Sequence, residues 1–216
     1  MNWVSILGDI SIWIILTPLL IGVAGFKRLN TDSKLVLAIV VIGSIPQVLR
    51  SFYTSSALLT LLYNLYTPCE FIIYYLLFRS KITTRGFRIF FIGTGVAFFL
   101  FSSLFIARFG LEKRFINEWV MVNNILQISW ICLCLMEYYK NEEITIESYQ
   151  PFFWFLVGIT AYSTCTVVFY CLWYFIKSQS SGQVQLLKVI HHIFNITLYI
   201  CFCIGLLKNY SKIKIH

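Results

Sequence analysis

The sequence predicts an all-α, polytopic membrane protein with seven transmembrane helices, folded as a single domain over residues 1–216. First, 59% of its residues are hydrophobic and only 12% are charged, whereas a soluble domain is about 25% charged. Second, the mean hydropathy is +0.79. Third, the apolar residues gather in seven runs of roughly 19 to 27 residues, near the ~20 that cross ~30 Å of hydrocarbon.

Polar or helix-breaking residues separate the seven runs. The predicted spans are residues 3–26, 34–52, 57–78, 86–109, 115–138, 151–177 and 186–209. Pro151 is expected to be the first helical residue of the sixth span, because its missing N–H is not needed there. The polar run 178–183 is expected to form a turn. Pro18, Pro46 and Pro68 lie inside the first three spans and are expected to kink them.

The distribution of Lys and Arg predicts the orientation of the spans. The net charge is +8, and the basic residues lie between the apolar runs rather than on one face, so no direct nucleic-acid binding is expected. Loops 1–2, 3–4 and 5–6 and the C-terminal end carry more of them than the opposite side. The positive-inside rule then puts the N-terminus outside and the C-terminus in the cytoplasm. We expect a multi-pass protein of the bacterial inner (cytoplasmic) membrane.

The third span, ALLTLLYNLYTPCEFIIYYLLF, carries polar groups in its middle. Asn64, Thr67 and Glu70 lie where lipid does not tolerate polar groups without partners. Ionisable residues are rare inside spans and by default indicate a functional site. Glu70 is therefore the leading candidate residue of the chain.

Polar side chains on the fifth and seventh spans recur at i,i+3 and i,i+4 spacing, so each helix has a polar stripe. With the predicted orientation, these stripes lie at a depth that matches the polar part of the third span. The sequence therefore predicts a ligand pocket that opens outward between these three helices. Its candidate residues are Glu70, Asn64, Thr67, Asn123, Asn124, Gln127, His191, His192 and Asn195. The two adjacent histidines cannot face the same partner, since neighbouring positions on a helix point about 100° apart.

A structural alternative applies to the amide side chains. Asn and Gln in membrane helices usually hydrogen-bond to neighbouring helices, at about 0.6 kcal/mol each. Gln47, Asn123, Asn124 and Asn195 all fit this description. The polar zone is thus either a binding site or a set of interhelical hydrogen bonds, and both interpretations stand at this stage.

No catalytic residue, metal site or cofactor is predicted. The pairs Cys132/Cys134 and Cys201/Cys203 are spaced i,i+2, so their side chains point roughly 200° apart on a helix and cannot chelate one metal ion. A retinal-binding protein needs a lysine in the middle of its last helix. Here the seventh span has lysines only near its ends.

Four stretches resemble an uncharacterised family of small seven-helix membrane proteins common in Bacteroidetes. They are PLLIGVAGFKRL (18–29), LYNLYTPCEF (62–71), FFWFLVGITAYS (152–163) and HHIFNITLYICFCIGL (191–206). The resemblance covers most of the length and implies a seven-helix fold, but no activity. Small multi-span proteins of this size also occur as accessory proteins beside defence systems, including RNA-targeting CRISPR nucleases.

The sequence predicts a non-enzymatic membrane module, sensory or accessory, that acts through a partner and is compatible with an oligomer. Its basic loops Lys27–Lys34 and Arg79–Arg88 suit anionic lipid or a cytoplasmic protein. One alternative is a small transporter or channel with Glu70 as its protonatable group. Another is a membrane-embedded enzyme that uses Glu70 and a histidine for acid–base chemistry.

Overall fold

The computed structural model describes residues 3–52, 55–140, 151–176 and 181–211. Within these ranges, all regular secondary structure is helical, as predicted. Seven helical segments of the described chain are long and apolar enough to cross a membrane. They are Ile6–Ala24, Thr31–Arg50, Ala57–Arg79, Arg85–Phe109, Asn117–Lys140, Pro151–Trp173 and Gly182–Tyr210. The all-α class and the seven candidate spans are thus confirmed, whereas insertion into a membrane and the orientation of the termini stay predictions.

The helix boundaries agree closely with the predicted spans, with one clear shift. The helices are α1 (Trp3–Trp13), α2 (Leu16–Ala24), α3 (Thr31–Phe52), α4 (Ser56–Arg79), α5 (Arg85–Phe109), α6 (Asn117–Lys140), α7 (Pro151–Ile176) and α8 (Ser181–Ser211), with a short 3-10 helix at Phe26–Arg28. Pro151 is the first residue of α7, as predicted. The predicted turn over 178–183 is wrong for residues 181–183, which begin α8, and residues 178–180 lie outside the described ranges. Polar residues suit a first helical turn, because its N–H groups have no helical acceptor.

The first predicted span is not one continuous helix. Pro18 has no N–H, so the carbonyl of Ile14 lacks its usual donor four residues later. The Thr17 N–H donates to that carbonyl instead, at 3.0 Å, and this tighter turn separates α1 from α2. Pro46 and Pro68, by contrast, lie inside α3 and α4, which continue past them.

The contacts group the chain into two compact units. The terminal unit consists of residues 1–37 and 147–216, and the central unit consists of residues 38–146. The single domain expected over residues 1–216 stays a prediction.

In the terminal unit, α8 packs along α7 and also contacts α1 and α2. Glycines allow α7 and α8 to approach closely. Gly158 of α7 lies against Cys201 of α8, and Gly205 of α8 lies directly against the ring of Phe155. Small residues at such crossings are typical of helices that associate in membranes.

In the central unit, an aromatic core joins α4, α5 and α6. Phe71 of α4 stacks on Phe98 of α5 with 3.8 Å between ring centroids, and lies 5.1 Å from the ring of Trp130 of α6. The indole Nε1 of Trp130 donates to Thr94 Oγ1 on α5 at 3.0 Å. Such aromatic pairs contribute about 0.5–1.5 kcal/mol each beyond their burial. This core holds the three helices that carry Glu70 and its neighbours.

Candidate functional site

Glu70 lies on α4 in the interior of the central unit, with 8% of its surface exposed. Tyr66 Oη, one turn earlier on the same helix, donates to Glu70 Oε1 at 2.7 Å. Asn123 Nδ2 of α6 donates to Glu70 Oε2 at 2.8 Å. Both carboxyl oxygens therefore have a donor, which is what a buried carboxylate requires. The Asn123 amide also carries an acceptor oxygen, so it can serve a protonated carboxyl by turning over.

The other predicted residues of α6 lie beside Asn123 and are buried. Asn124 Nδ2 donates to the carbonyl of Val120 on its own helix at 2.7 Å, and Gln127 is 1% exposed. The Oδ1 atoms of Asn123 and Asn124 are buried and accept no hydrogen bond from the described residues. On α4, Thr67 Oγ1 donates to the backbone carbonyl of Tyr63 at 3.3 Å, so this bond lies within one helix. The bonds from Tyr66 and Asn123 to Glu70 thus join two side chains, whereas those from Asn124 and Thr67 end on the backbone of their own helices.

Asn64 has the contacts of a structural clamp. Its Nδ2 donates to the carbonyls of Leu111 and Arg114 at 2.7 and 2.8 Å. Its Oδ1 accepts from the backbone N–H of Ile116 at 3.0 Å. One side chain on α4 therefore satisfies three backbone groups of the turn between α5 and α6.

His192 of α8 lies in the terminal unit and bonds to α1. Its Nδ1 is 2.8 Å from Ser11 Oγ, and Ser11 Oγ donates to the carbonyl of Gly8 at 2.9 Å. The Ser11 hydroxyl can donate to only one of these two acceptors, so the direction of its bond with His192 depends on the imidazole tautomer. Asn195 Nδ2 donates to the carbonyl of Ser11 at 3.3 Å. Ser11, which was not among the predicted residues, thus links α1 to two predicted residues of α8.

His191 turns to a different partner from His192, as predicted. Its ring packs on Phe169 and Tyr162 of α7, at 4.7 and 5.8 Å between ring centroids. The two histidines belong to the terminal unit, and Glu70 belongs to the central unit. The pocket shared by the third, fifth and seventh spans stays a prediction, and so does acid–base chemistry by Glu70 with a histidine.

Glu137 organises the basic turn 79–88, and sequence reasoning missed it. This residue of α6 is 5% exposed. Its Oε1 accepts from the N–H groups of Thr83 and Thr84 at 3.1 and 2.6 Å, and its Oε2 accepts from Thr83 Oγ1 at 3.1 Å. A carboxylate from a neighbouring helix therefore caps the N-terminus of α5, where negative charge is favourable. The available signal was an acid near the end of an otherwise apolar span.

The same turn forms a basic hollow of about 340 Å³. Two arginines line it, Arg79 from the end of α4 and Arg88 from the first turn of α5. The full lining is Leu76, Arg79, Ser80, Ile82, Thr83 and Arg88. Among the described residues, no carboxylate pairs with either arginine. Glu137 lies at this turn, but both of its oxygens are committed to Thr83 and Thr84.

The basic turn 27–34 lies in the terminal unit and is held by the end of α8. Asn209 Nδ2 donates to the carbonyl of Arg28 at 2.8 Å, and Tyr210 Oη donates to the carbonyl of Ile21. An open cleft of about 910 Å³ lies here, with Lys27 and Arg28 among its lining residues. Both basic side chains are exposed.

The turn between α5 and α6 is also basic, but two of its basic side chains, Arg108 and Arg114, meet partners within the chain. Arg114 forms an ion pair with Glu118 at 2.9 Å. Its guanidinium lies 4.3 Å from the ring centroid of Phe109, and that of Arg108 lies 5.2 Å from the same ring. Arg108 and Arg114 therefore have partners in this turn, whereas in the turn 79–88 no carboxylate of the described residues pairs with Arg79 or Arg88.

No family model matches this chain, and neither a curated protein nor a solved structure matches it. The resemblance to a Bacteroidetes family and a role beside a defence system therefore stay predictions. Within the described ranges, no three His, Cys, Asp or Glu side chains gather in a way that could hold a metal ion.

Proposed function

We propose that the chain is a non-enzymatic, multi-pass membrane protein that acts as a sensory or accessory module through a partner at its basic turns, residues 27–34 and 79–88. The contrast between its turns carries this proposal. Arg114 is matched by Glu118, whereas no carboxylate of the described residues pairs with Arg79 or Arg88. Arginines left unpaired at a surface are suited to an anionic group from outside the chain.

The backbone of each basic turn is also held in one conformation. Glu137 holds the start of α5, and Asn209 holds the carbonyl of Arg28. A loop that only sets the orientation of the spans needs positive charge but no fixed backbone. Asn64 holds the α5–α6 turn in a similar way, yet there Arg114 is matched by Glu118. A fixed backbone beside Arg79 and Arg88, with which no carboxylate of the described residues pairs, supports a role in recognition.

The proposal also fixes the side of the membrane. If all seven segments cross the bilayer, the turns 27–34 and 79–88 emerge on the same side as the C-terminal end. The positive-inside rule places that side in the cytoplasm, at the inner membrane of a bacterium. The partner is then a cytoplasmic protein or the anionic lipid of the inner leaflet.

A second candidate function is proton-coupled transport, and the surroundings of Glu70 favour it. A buried carboxyl bonded to an amide that offers both a donor and an acceptor can be stabilised in either protonation state. Ionisable groups inside spans often lie on proton paths. Under this candidate, Glu70 takes up and releases the transported proton.

Proton flux separates the two candidates. The purified chain is reconstituted in liposomes, and flux is compared for the wild type, Glu70→Gln and the exposed-acid control Glu112→Gln. The accessory proposal predicts the same background flux for all three. Proton-coupled flux that Glu70→Gln abolishes and Glu112→Gln preserves would overturn it.

The partner is sought by photo-cross-linking in living cells. A photoreactive residue replaces Ser80 in the basic turn, and Lys113 in the α5–α6 turn serves as the matched control, since both side chains are exposed. The proposal predicts a discrete cross-linked protein or lipid from position 80 alone. Failure of position 80 to cross-link to either would contradict it.

A further inference from the structure

We propose that the hollow at the α4–α5 turn binds the phosphate group of an anionic phospholipid, with Arg79 and Arg88 as its ligands. This inference rests on the proposed function in one respect, because the proposed function places the turn 79–88 at a membrane surface. It goes further by naming the chemistry of the occupant and the two side chains that hold it.

The two arginines suit a phosphate better than a lone basic residue would. The guanidinium group is a planar fork that donates two parallel hydrogen bonds to phosphate oxygens. Arg79 and Arg88 come from different helices and line the same hollow. Its volume of about 340 Å³ lies within the ~300–1,000 Å³ typical of small-molecule sites.

Glu137, whose carboxylate contacts this turn, forms no ion pair with Arg79 or Arg88 in the described part of the chain. Glu137 directs Oε1 at two backbone N–H groups and Oε2 at the Thr83 hydroxyl. This arrangement keeps the carboxylate on the protein side of the turn, while Arg79 and Arg88 are exposed. The hollow therefore attracts an anion.

Apolar stripes lead away from the hollow along both helices, and they indicate that the anion belongs to a lipid. On α4, Leu76 and Ile72 precede Arg79 by about one and two turns and are 44% and 43% exposed. The exposed residues spaced four apart after Arg88 on α5 are Ile92, Val96 and Leu100. A molecule with a phosphate at one end and acyl chains at the other can contact both arginines and both stripes. A soluble anion would use the arginines alone.

The test measures lipid retention by the purified full-length chain in detergent, using native mass spectrometry with added phosphatidylglycerol or phosphatidylcholine. The wild type is expected to retain phosphatidylglycerol in preference. Each arginine near a membrane surface contributes roughly fivefold to affinity, so Arg79→Gln/Arg88→Gln should weaken phosphatidylglycerol binding by about 25-fold. Arg108→Gln, at the opposite end of α5, is the matched control and should bind as the wild type does. Equal retention by the wild type and the double variant would overturn the proposal.

A conservative variant keeps the test decisive if the double Gln variant does not fold. Arg79→Lys/Arg88→Lys retains both charges but loses the planar forks, so its affinity should fall between those of the wild type and the Gln variant. If the Lys variant binds phosphatidylglycerol as weakly as the double Gln variant, or as tightly as the wild type, the phosphate is not held by paired guanidinium contacts.

Inorganic phosphate distinguishes a lipid from a soluble source of the same group. The proposal predicts that inorganic phosphate displaces phosphatidylglycerol only weakly, because it lacks the acyl chains. If inorganic phosphate displaces phosphatidylglycerol at low concentration, or protects the chain from thermal unfolding as well as the lipid does, the hollow binds soluble phosphate and the lipid proposal is refuted. These assays use the pure protein without a partner, so their failure is separate from failure of the accessory role, which the flux and cross-linking experiments decide.

Discussion

Replacing Glu137 by alanine should loosen the start of α5 and lower the stability of the central unit. The carboxylate accepts two backbone N–H bonds and one hydroxyl bond from Thr83 and Thr84. Loss of an N-cap acceptor typically costs about 1 kcal/mol, and bonds to a charged acceptor are worth about 1.5–3 kcal/mol. Water can reach the exposed turn and replace part of this loss, so we expect about 2 kcal/mol for Glu137→Ala. Glu137→Gln keeps one acceptor oxygen and should cost about half as much.

Thermal unfolding measures this loss for the whole chain, and hydrogen exchange measures it at the turn. For a chain of this size, 2 kcal/mol corresponds to a fall of roughly 4–8 °C in the midpoint of thermal unfolding. Hydrogen exchange at the amides of Thr83 and Thr84 should speed up by about 30-fold, which is the same free energy expressed locally. Glu112→Ala is the matched control, since that exposed acid should change stability by less than about 0.5 kcal/mol. If Glu137→Ala matches Glu112→Ala in both measurements, the capping role is refuted.

Substitutions at Asn64, Glu70 and Gly205 test the packing within each unit. Asn64→Ala removes three bonds to the turn between α5 and α6 and should cost about 2–3 kcal/mol in thermal unfolding; no loss would show that the clamp is dispensable. Glu70→Gln keeps hydrogen-bond partners for Tyr66 and Asn123, so its free energy of unfolding should lie within about 1 kcal/mol of the wild-type value. Glu70→Leu loses these bonds and should lower the free energy of unfolding in denaturant titration by about 2 kcal/mol or more. Equal stability of the two variants would exclude a structural role for these bonds. Gly205→Leu should displace the ring of Phe155 and prevent the folded chain from being purified. Gly93→Leu is the control and should be tolerated, because nothing lies within 4 Å of a Cβ added there. Equal yields of the two variants in gel filtration would contradict close packing of α7 on α8.

The spans were predictable because length and composition alone decide them. Each apolar run is long enough to cross a bilayer, and tertiary contacts move its ends by only a few residues. The break before Pro18 needed one further step, namely asking which donor reaches the carbonyl of Ile14. The sequence pattern contained that answer, but counting apolar residues does not reveal it.

The partners of the polar residues were only partly predictable. Tyr66 lies four residues before Glu70, so their bond follows from helical spacing. The bond from Asn123 depends on how α6 packs against α4, and periodicity within one helix carries no such information. The cap from Glu137 is hidden for the same reason, since it joins residues more than fifty positions apart. The predicted depth in the bilayer identified polar residues of interest without showing which of them meet.

The side of the membrane on which the basic turns lie tests the central claim most directly. Ser80→Cys and Lys113→Cys are compared, in a background without the native cysteines, for labelling by a membrane-impermeant maleimide in intact spheroplasts and in inside-out vesicles. The account predicts that position 80 is labelled only in inside-out vesicles and position 113 only in spheroplasts. Labelling of position 80 from outside the cell would place Arg79 and Arg88 away from the cytoplasm and contradict a cytoplasmic partner at this turn.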